Sequence, residues 1–376
     1  MGMMKITDIH WKSYRVPFAS NFTTAHGKMA MREGAIVIIT TYDGTRGIGE
    51  IAPLPEFGGD TLVNACQSFS RETTGLRTKT LETAWEKLPL LSPAAACGLE
   101  FALLDLQGKR DECAVNVLLA QETPRTAVPV NAVISTQAVE DVFISALVAK
   151  QHGFLCVKLK VGNVELEQEI ERIAAVREAI GPNIHLRLDA NEAWELEEAN
   201  AILTRCVPYK IQYVEQPLQR NDLLGMQQLR RTLSIPIAAD EAVHDVESAR
   251  RIMRFGAADV LVIKPQLAGG LHASREIISE ATQRGIQCVL TTSIESGISL
   301  AAVLQLAAAS PEVTLECGFA TQHLLEDDFI LEELSIQSGL MIVPTTPGLG
   351  VTLDDEALDM YSPQSYQFGP SSPDEA

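Results

Sequence analysis

The sequence of 376 residues has seven cysteines, an odd number, and no two of them form a CxxC pair. Because that pair is typical of zinc sites and redox motifs, neither is predicted here. Cysteines inside apolar runs are typical of small buried side chains in a reducing compartment. The opening residues MGMMKITDIHWKS lack the apolar core of a signal peptide, and no apolar run reaches membrane-spanning length. We therefore expect a cytoplasmic protein with no membrane partner.

Basic residues are scarce, with 30 Lys and Arg against 49 Asp and Glu and a formal net charge of -19. This balance argues against nucleic acid as a partner. The sequence also has no G-x-G-x-x-G fingerprint after a strand and no phosphate loop, which weakens the case for a doubly wound dinucleotide-binding fold. The chain is long enough for one large domain with a smaller one, or for one decorated barrel.

The N-terminal third has an α+β pattern that extends to about residue 126. Residues 4–52 are predicted to form antiparallel strands, with a hairpin turn at Asp43-Gly44. A loop rich in proline and glycine follows at 53–61. Apolar residues recur at helical spacing over 92–110, which predicts a helix there.

From Val128 onward, short apolar runs alternate with amphipathic segments of helical length, such as 164–180. Eight such runs with helices between them predict a (β/α)8 barrel, with the doubly wound sheet as the competing fold. A last strand is predicted at 340–353, followed by a tail rich in serine and proline that we expect to be disordered. The eight predicted barrel strands are 128–134, 156–162, 185–191, 211–217, 235–241, 259–265, 287–293 and 313–318.

The second predicted strand, CVKLKVG, carries two lysines, Lys158 and Lys160. Side chains two apart on a strand point to the same face, and both faces of a strand are usually buried in an α/β protein. Two lysines directed inward are costly unless anions meet them. The alternative is a strand end that leaves both lysines in solvent.

Five charged residues close five consecutive predicted strands, the second to the sixth. The spacing is 26 residues from Asp189 to Glu215, 25 from there to Asp240 and 24 on to Lys264, about the length of one βα unit. Each alone is typical of a turn, a strand end or the first turn of a helix. Together they predict a set that converges at the mouth of the barrel, where barrel enzymes place their sites. The five are Lys160, Asp189, Glu215, Asp240 and Lys264.

Three carboxylates at one mouth would repel one another unless they hold a hard cation, and three oxygen ligands with open positions suit Mg²⁺. The predicted ligands are Asp189, Glu215 and Asp240. A divalent metal neutralises charge on a substrate carboxylate as the neighbouring proton leaves. An amine removes that proton if nearby cations and burial bring its pKa toward neutrality, and we expect this of Lys160 beside Lys158 and Lys264. The predicted reaction is proton abstraction α to a carboxylate, followed by elimination, cycloisomerisation or reprotonation.

The segments KLK, LDAN, VEQP, ADE and VIKP at these spacings resemble the enolase superfamily. The lysines on strands two and six resemble its muconate lactonizing enzyme subgroup; the mandelate racemase subgroup would have a histidine on strand seven, where this chain reads TTSIES. The resemblance implies a modified TIM barrel with an α+β capping domain formed from both chain ends. We place the domains at 1–126 (cap), 127–335 (barrel) and 336–376 (C-terminal segment that returns to the cap, with its tail).

Within the subgroup, TAHGKMAMREGAIVII, GIGEIAPLPEFGGDT and TSIES resemble segments of the o-succinylbenzoate synthases. This resemblance implies Mg²⁺-dependent dehydration of 2-succinyl-6-hydroxy-2,4-cyclohexadiene-1-carboxylate in menaquinone biosynthesis. Dipeptide epimerases usually carry Asp-x-Asp after strand eight, and ECGFATQ stands there instead. Dipeptide epimerisation and N-acylamino acid racemisation stay open, and a non-catalytic metal-stabilised binding protein is the remote alternative.

The resemblance also implies individual roles. Lys160 would be the base, Lys158 would contact the substrate carboxylate, and Lys264 would be a fixed cation in an elimination or the second base in a racemisation. Capping loops near 20–30 and 53–60 are expected to set specificity, and the sequence does not indicate the oligomeric state. Further residues predicted to support the site or to contact substrate are Asn191, Arg187, Glu241, Ser293 and Glu295, with His26 and His323 as weaker candidates.

Overall fold

The computed structural model describes residues 4–24 and 27–363; the predicted tail beyond 363 and His26 lie outside the described residues. The N-terminal sheet is antiparallel, in the order β1-β2-β3. Its strands are β1 (Ile6–Thr24), β2 (Gly27–Thr41) and β3 (Arg46–Ile51). The turn at Asp43-Gly44 is confirmed: Gly44 has a φ of 86°, and the Asp43 carboxylate accepts a hydrogen bond from the Thr45 amide at 3.1 Å.

One long buried helix packs across this sheet. The helices of this part are α1 (Leu62–Thr73), α2 (Leu81–Trp85), α3 (Pro93–Arg110) and α4 (Val115–Leu119), with 3₁₀ turns at Pro55–Phe57 and Leu88–Leu90. The helix predicted over 92–110 is confirmed as α3. Helix and sheet approach so closely at Gly49 that a β-carbon there would lie 2.1 Å from the Gly98 carbonyl oxygen. Glycine at this position therefore lets α3 lie flat on β3.

A parallel sheet of seven strands, each beside its sequence neighbour, forms the larger part of the molecule. After the short strand β4 (Ala127–Pro129), which pairs elsewhere, the seven are β5 (Ala132–Ile134), β6 (Cys156–Lys160), β7 (His185–Asp189), β8 (Ile211–Glu215), β9 (Ile237–Ala239), β10 (Val260–Ile263) and β11 (Gln287–Leu290). The intervening helices are α5 (Val139–Gln151), α6 (Leu166–Ile180), α7 (Leu196–Cys206), α8 (Leu223–Thr232), α9 (Val246–Phe255), α10 (Pro265–Ala268), α11 (Leu271–Gln283) and α12 (Gly297–Ala309), with 3₁₀ turns at Val207–Tyr209 and Gln322–Leu324.

The segment predicted as the eighth strand closes the barrel without forming a strand of its own. It makes two parallel bridges, Val130 to Cys317 on one side and Thr291 to Gly318 on the other. The strand prediction for 313–318 is therefore wrong, although the segment occupies the eighth position. The reason lies in the neighbouring chain: the first predicted strand breaks between β4 and β5, so only the backbone around Asn131 is left to pair with Cys317.

The C-terminal segment touches both parts of the molecule. Its strands β12 (Ile336–Gln337) and β13 (Leu340–Ile342) continue from β4 as a small antiparallel sheet, and α13 (Asp355–Tyr361) contacts β1. Asp355 of α13 pairs with Arg46 at 2.8 Å. Of the last strand predicted over 340–353, only Leu340–Ile342 forms a strand. The rest of that prediction is wrong, because Pro344 and Pro347 have no amide hydrogen to donate to a ladder. The domain boundaries at 126 and 335 stay predictions.

The strands bury an apolar face against the surrounding helices. On β6 the side chains of Val157 and Leu159 have no exposed surface and lie in the core cluster that includes residues of α5 and α6. Lys158 and Lys160 alternate with them and take the opposite face, as predicted from the two-residue period. Among residues 4–24 and 27–363, no helix has both the length and the apolar character to cross a membrane.

Candidate active site

The C-terminal ends of neighbouring barrel strands lie side by side at one mouth. In the sheet register Lys160 of β6 stands opposite Asp189 of β7, and Asp189 stands opposite Glu215 of β8. Asp240 and Lys264 each follow the last residue of their strand, β9 and β10. The structure thus brings the five residues in register to adjacent positions, because parallel strands all end at the same edge.

The two lysines of β6 lie among these carboxylates. The Lys158 ammonium group is 3.0 Å from Asp189 Oδ2 and 2.9 Å from Glu215 Oε1, so it bridges two acids on different strands. Lys160 donates to Asp189 Oδ2 at 2.6 Å and to Asn191 Oδ1 at 2.8 Å. Its side chain keeps 31% of its surface exposed, against 13% for Lys158. Lys160 is therefore the lysine of this strand that a substrate reaches more easily.

Lys264 approaches the same carboxylates from β10, four strands away from β6 in the sheet, and forms an ion pair with Asp240. Glu241 follows Asp240 and accepts a hydrogen bond from the Asn191 side chain at 2.8 Å. Among the described residues, the second oxygen of Glu241, Oε2, has no hydrogen-bond partner although it is buried. Asn191 thus connects Lys160 on one side of the mouth to Glu241 on the other.

The charges at the mouth shift one another's ionisation. Burial opposes the charged form of Asp189, but Lys158 and Lys160 outweigh it and hold the pKa of Asp189 below its usual range. Burial and the nearby charge of Asp189 raise the pKa of Glu215 to about 7. Burial and the charge of Asp240 raise the pKa of Glu241 to about 8. At Glu215 and Glu241, burial and the neighbouring carboxylates together outweigh the nearby lysines, which act to lower both pKa values.

The donor chemistry of this site fits a hard divalent cation. Carboxylate oxygens on three adjacent strands are the ligand type that Mg²⁺ prefers. The pKa of Glu215 is raised first by burial and then by the charge of Asp189, and a bound cation would offset both effects. In this structure the oxygens of the three carboxylates are paired with the ammonium groups of the lysines. Within the part of the chain that the structure describes, no group of three or more His, Cys, Asp or Glu side chains is arranged so that it could hold a metal ion. A divalent cation would compete with the lysines for the same oxygens.

Backbone strain marks the same mouth. Four residues other than glycine adopt positive φ there: Asn191 at 44°, Glu192 at 67°, Gln216 at 37° and Ile294 at 61°. Such conformations are costly and concentrate at functional sites. The sequence reasoning did not single out Gln216, whose side-chain oxygen accepts from the amides of Asp240 and Ala242 at 3.0 and 3.2 Å. Its position directly after Glu215 was the available signal.

The structure does not bring Arg187 to the three carboxylates. Arg187 lies one pleat below Asp189, fully buried, where it donates to Glu316 Oε2 at 2.6 Å and to Gln212 Oε1 at 2.6 Å. Its guanidinium carbon lies 4.7 Å from the centroid of the Tyr213 ring. These contacts cross the barrel interior beneath the mouth and support a structural role.

Replacing Glu316 by glutamine is expected to lower the free energy of unfolding by about 3 kcal/mol, because it leaves the Arg187 charge buried without its ionic partner. Urea denaturation measures the loss. An Arg187→Met, Glu316→Gln double variant should recover part of it, since neither charge is then buried alone. If Arg187→Met instead keeps full stability and only raises KM, Arg187 contacts substrate.

Ser293 and Glu295 lie together in the loop after β11, both buried, and Glu295 Oε2 accepts from the Ser293 amide at 2.6 Å. Burial raises the pKa of Glu295 to about 7, against the opposing charge of Arg32 from the capping sheet. The Ser293 hydroxyl has no hydrogen-bond partner within the described chain. His323 is exposed in the 3₁₀ turn Gln322–Leu324. Roles in substrate binding stay predictions for these residues.

Two family profiles match this chain. Residues 144–357 match the profile described as Enolase C-terminal domain-like, and residues 6–106 match that described as MenC, N-terminal domain. The chain belongs to the enolase superfamily. The first match contains Lys158, Lys160 and the three carboxylates, and the second contains the three-stranded sheet with α1, α2 and most of α3.

Relatives within the superfamily differ in the reaction they catalyse. A hydrophobic dipeptide epimerase of Enterococcus faecalis is 31% identical over 83% of this chain and 89% of its own. An o-succinylbenzoate synthase of Thermobifida fusca is 35% identical over 58% of this chain and 67% of its own. Muconate cycloisomerase 1 of Rhodococcus opacus is 26% identical over 96% of this chain and all of its own. These relatives place the chain in the muconate lactonizing enzyme subgroup.

A solved structure shares the fold across nearly the whole chain. The dipeptide epimerase of Enterococcus faecalis, complexed with Mg and the dipeptide L-Leu-L-Tyr, superposes with a TM-score of 0.86 at 28% identity, over 93% of this chain and all of its own. The fold predicted from the sequence, a modified TIM barrel with a capping domain, is thereby confirmed.

Proposed function

We propose that this enolase superfamily enzyme dehydrates 2-succinyl-6-hydroxy-2,4-cyclohexadiene-1-carboxylate to o-succinylbenzoate, a step of menaquinone biosynthesis, in the cytoplasm. The observation that carries the reaction class is the pair of lysine positions, Lys160 at the end of β6 and Lys264 directly after β10, on either side of the buried carboxylates. Two amines placed around one mouth suit the movement of a proton next to a carboxylate.

Lys160 is assigned as the base. It removes the proton from the ring carbon that bears the carboxylate, and the electron pair of that C–H bond becomes part of the new ring double bond. The C–O bond at the neighbouring carbon breaks, and the leaving hydroxyl takes the proton back from Lys160 and departs as water. The ring is then aromatic, and the lysine is again neutral for the next turnover.

The other two lysines are assigned as positive charges that do not transfer protons in the dehydration. Lys158 lies one pleat below Lys160 and is assigned to the substrate carboxylate, while Lys264 is a fixed cation across the mouth. Asp189, Glu215 and Asp240 are the proposed ligands of one Mg²⁺, which when bound would neutralise charge growing on the substrate carboxylate. Asn191 accepts from Lys160 and donates to Glu241, so it is assigned to position the base.

The substrate assignment rests on relatives. The MenC N-terminal profile covers the capping sheet, and the Thermobifida fusca relative is an o-succinylbenzoate synthase. A spectroscopic dehydration assay on the cyclohexadiene, run beside dipeptides and N-succinylamino acids, tests it. We expect the highest kcat/KM for the cyclohexadiene. A dipeptide with a much higher kcat/KM would overturn the substrate while leaving the reaction class intact.

Dipeptide epimerisation is the second candidate, favoured by the Enterococcus faecalis relative at 31% identity over most of the chain. In that reaction Lys264 would return a proton to the opposite face of the same carbon. The residues after Gly318 argue against it, because Phe319, Ala320 and Thr321 offer no carboxylate for a dipeptide ammonium group. N-acylamino acid racemisation needs the same two lysines and stays a further alternative.

A further inference from the structure

A capping loop reaches one of the lysines at the barrel mouth directly. The ring centroid of Phe57 lies 4.9 Å from the Lys264 ammonium nitrogen, within the distance at which an aromatic face attracts a cation. Phe57 ends the 3₁₀ turn Pro55–Phe57, and Gly58 follows it with a φ of 91°, which lets the chain turn back at once. Lys264 is only 5% exposed. The loop therefore covers one side of its ammonium group.

The start of this loop is bound by a side chain that comes two residues after Lys264. Gln266, buried in α10, accepts from the Ala52 amide at 3.1 Å and donates to the Glu50 carbonyl at 2.8 Å. It also donates to the Ser299 hydroxyl at 3.1 Å. The side-chain amide of Gln266 thus makes the pair of backbone hydrogen bonds that a neighbouring strand would make at the end of β3. It thereby connects the capping sheet to the segment that carries Lys264.

Arg32 fixes the next part of the loop. Its guanidinium group donates to the carbonyls of Ala52 and Pro53 at 2.6 and 3.0 Å. Its Nε donates to the carbonyl of Ile294 at 3.0 Å, in the loop after β11. Two buried side chains thus hold Ala52 and Pro53, and only the three residues 54–56 separate this fixed point from Phe57.

We infer that Gln266 is a positioning residue that holds the loop 53–60 in register with Lys264, and that Phe57 shields the Lys264 ammonium group from solvent. One side chain on the lysine segment fixes the base of the loop, and the tip of that loop returns to the lysine. The inference concerns specificity, because this is one of the two capping loops expected from the sequence to set it. Only its kinetic consequence rests on the proposed function.

Solvent access to Lys264 can be measured without any substrate. Reductive methylation of the folded protein, followed by peptide mass spectrometry, gives a modification rate for each lysine. Replacing Gln266 by methionine removes three hydrogen bonds at constant length, and we expect the Lys264 rate to rise roughly tenfold or more. Phe57→Leu should raise it to a similar extent, while Phe57→Tyr keeps the ring and the wild-type rate. Lys109, at the C-terminal end of α3 and paired with Asp105, is the internal standard.

Gln305→Met is the matched control. Gln305 is also a buried amide with three hydrogen bonds, from the Asn116 amide at 2.9 Å and to the carbonyls of Pro344 and Leu349 at 2.9 and 3.1 Å. It should lower the melting temperature about as much as Gln266→Met and leave the Lys264 rate unchanged. An unchanged Lys264 rate in Phe57→Leu, or an equal rise in Gln305→Met, would overturn the inference. If Gln266→Met does not fold, Phe57→Leu alone decides.

The kinetic constants give a second test, because a purely structural role would not change KM separately from kcat. For whichever carboxylate substrate is turned over, Gln266→Met and Phe57→Leu should raise KM by roughly tenfold with a much smaller change in kcat, because loop closure rather than proton transfer is altered. Equal losses in kcat and kcat/KM would contradict this. Because the methylation result needs no substrate, failure of the proposed dehydration leaves the test of the shield intact.

Discussion

Lys160→Ala is expected to abolish dehydration, with a loss of roughly 100- to 10,000-fold or more in kcat. The side chain supplies both the base for the α-proton and the acid for the leaving hydroxyl, so one substitution removes two proton transfers. Its contacts with Asp189 and Asn191 hold the amine at the mouth, and its partial exposure leaves it open to substrate. The measurement is kcat for the cyclohexadiene at saturating Mg²⁺.

The control is a lysine with a similar environment away from the barrel mouth. Lys109 is 30% exposed and pairs with a buried aspartate, Asp105, at 2.7 Å. Lys109→Ala should keep kcat near wild type, which separates loss of a base from loss of a buried ion pair. Dehydration by Lys160→Ala at a near wild-type rate would show that another group is the base.

The opposite lysine gives the complementary result. Lys264→Arg keeps the positive charge but loses a usable proton, so it should retain measurable dehydration while losing any racemisation, provided that the larger side chain fits beneath Phe57. Exchange of the α-hydrogen in D₂O distinguishes the two faces. If Lys264→Arg loses dehydration and still racemises amino acid substrates, the two lysine roles are assigned the wrong way round.

Removal of any proposed metal ligand is expected to have an effect of comparable size. Asp189→Asn, Glu215→Gln and Asp240→Asn should each weaken Mg²⁺ binding by more than about 100-fold, since loss of a ligand costs at least as much as loss of a residue that supports one. Turnover should fall to background with each variant. Isothermal titration of Mg²⁺ into metal-free protein gives the affinity independently of activity.

Asp105→Asn provides the matched carboxylate. Asp105 is fully buried in α3 and accepts from the amides of Ile48 and Leu349 at 3.0 and 2.9 Å, in the capping sheet and the C-terminal segment. It should lower stability without changing Mg²⁺ affinity. Full turnover in metal-free buffer that contains a chelator would rule out the proposed metal site.

The period of the sequence determined most of the fold. Alternating apolar runs and amphipathic helices were enough to predict a barrel, and the Asp43-Gly44 turn and the helix over 92–110 were correct. The wrong strand predictions lie where the formation of a strand depends on a neighbouring strand to pair with. Residues 313–318 lack a full strand to pair with, and 340–353 contain prolines that end the ladder after Ile342. Strand propensity is a property of side chains, but a strand also needs a neighbour with free backbone groups.

The register of the site residues followed from the sequence for the same reason. Asp189 and Glu215 close consecutive parallel strands, so even spacing along the chain becomes adjacency at one edge. No such spacing indicates the place of Arg187. It shares the inward face with Asp189 but lies one pleat lower and reaches Glu316, 129 residues away. Depth within a barrel depends on how the strands are staggered, and that is settled only when the sheet closes.

By itself the sequence determined which residues gather at the mouth, because strand period and unit length are local properties. Only the tertiary structure decided what lies over them. Phe57 meets Lys264, and Gln266 meets Ala52, across separations of more than 200 residues, because the capping sheet packs on the barrel through α3 and the buried amides at its edge. Contacts of this kind carry no period along the chain, and they arise from the packing of two separately formed surfaces.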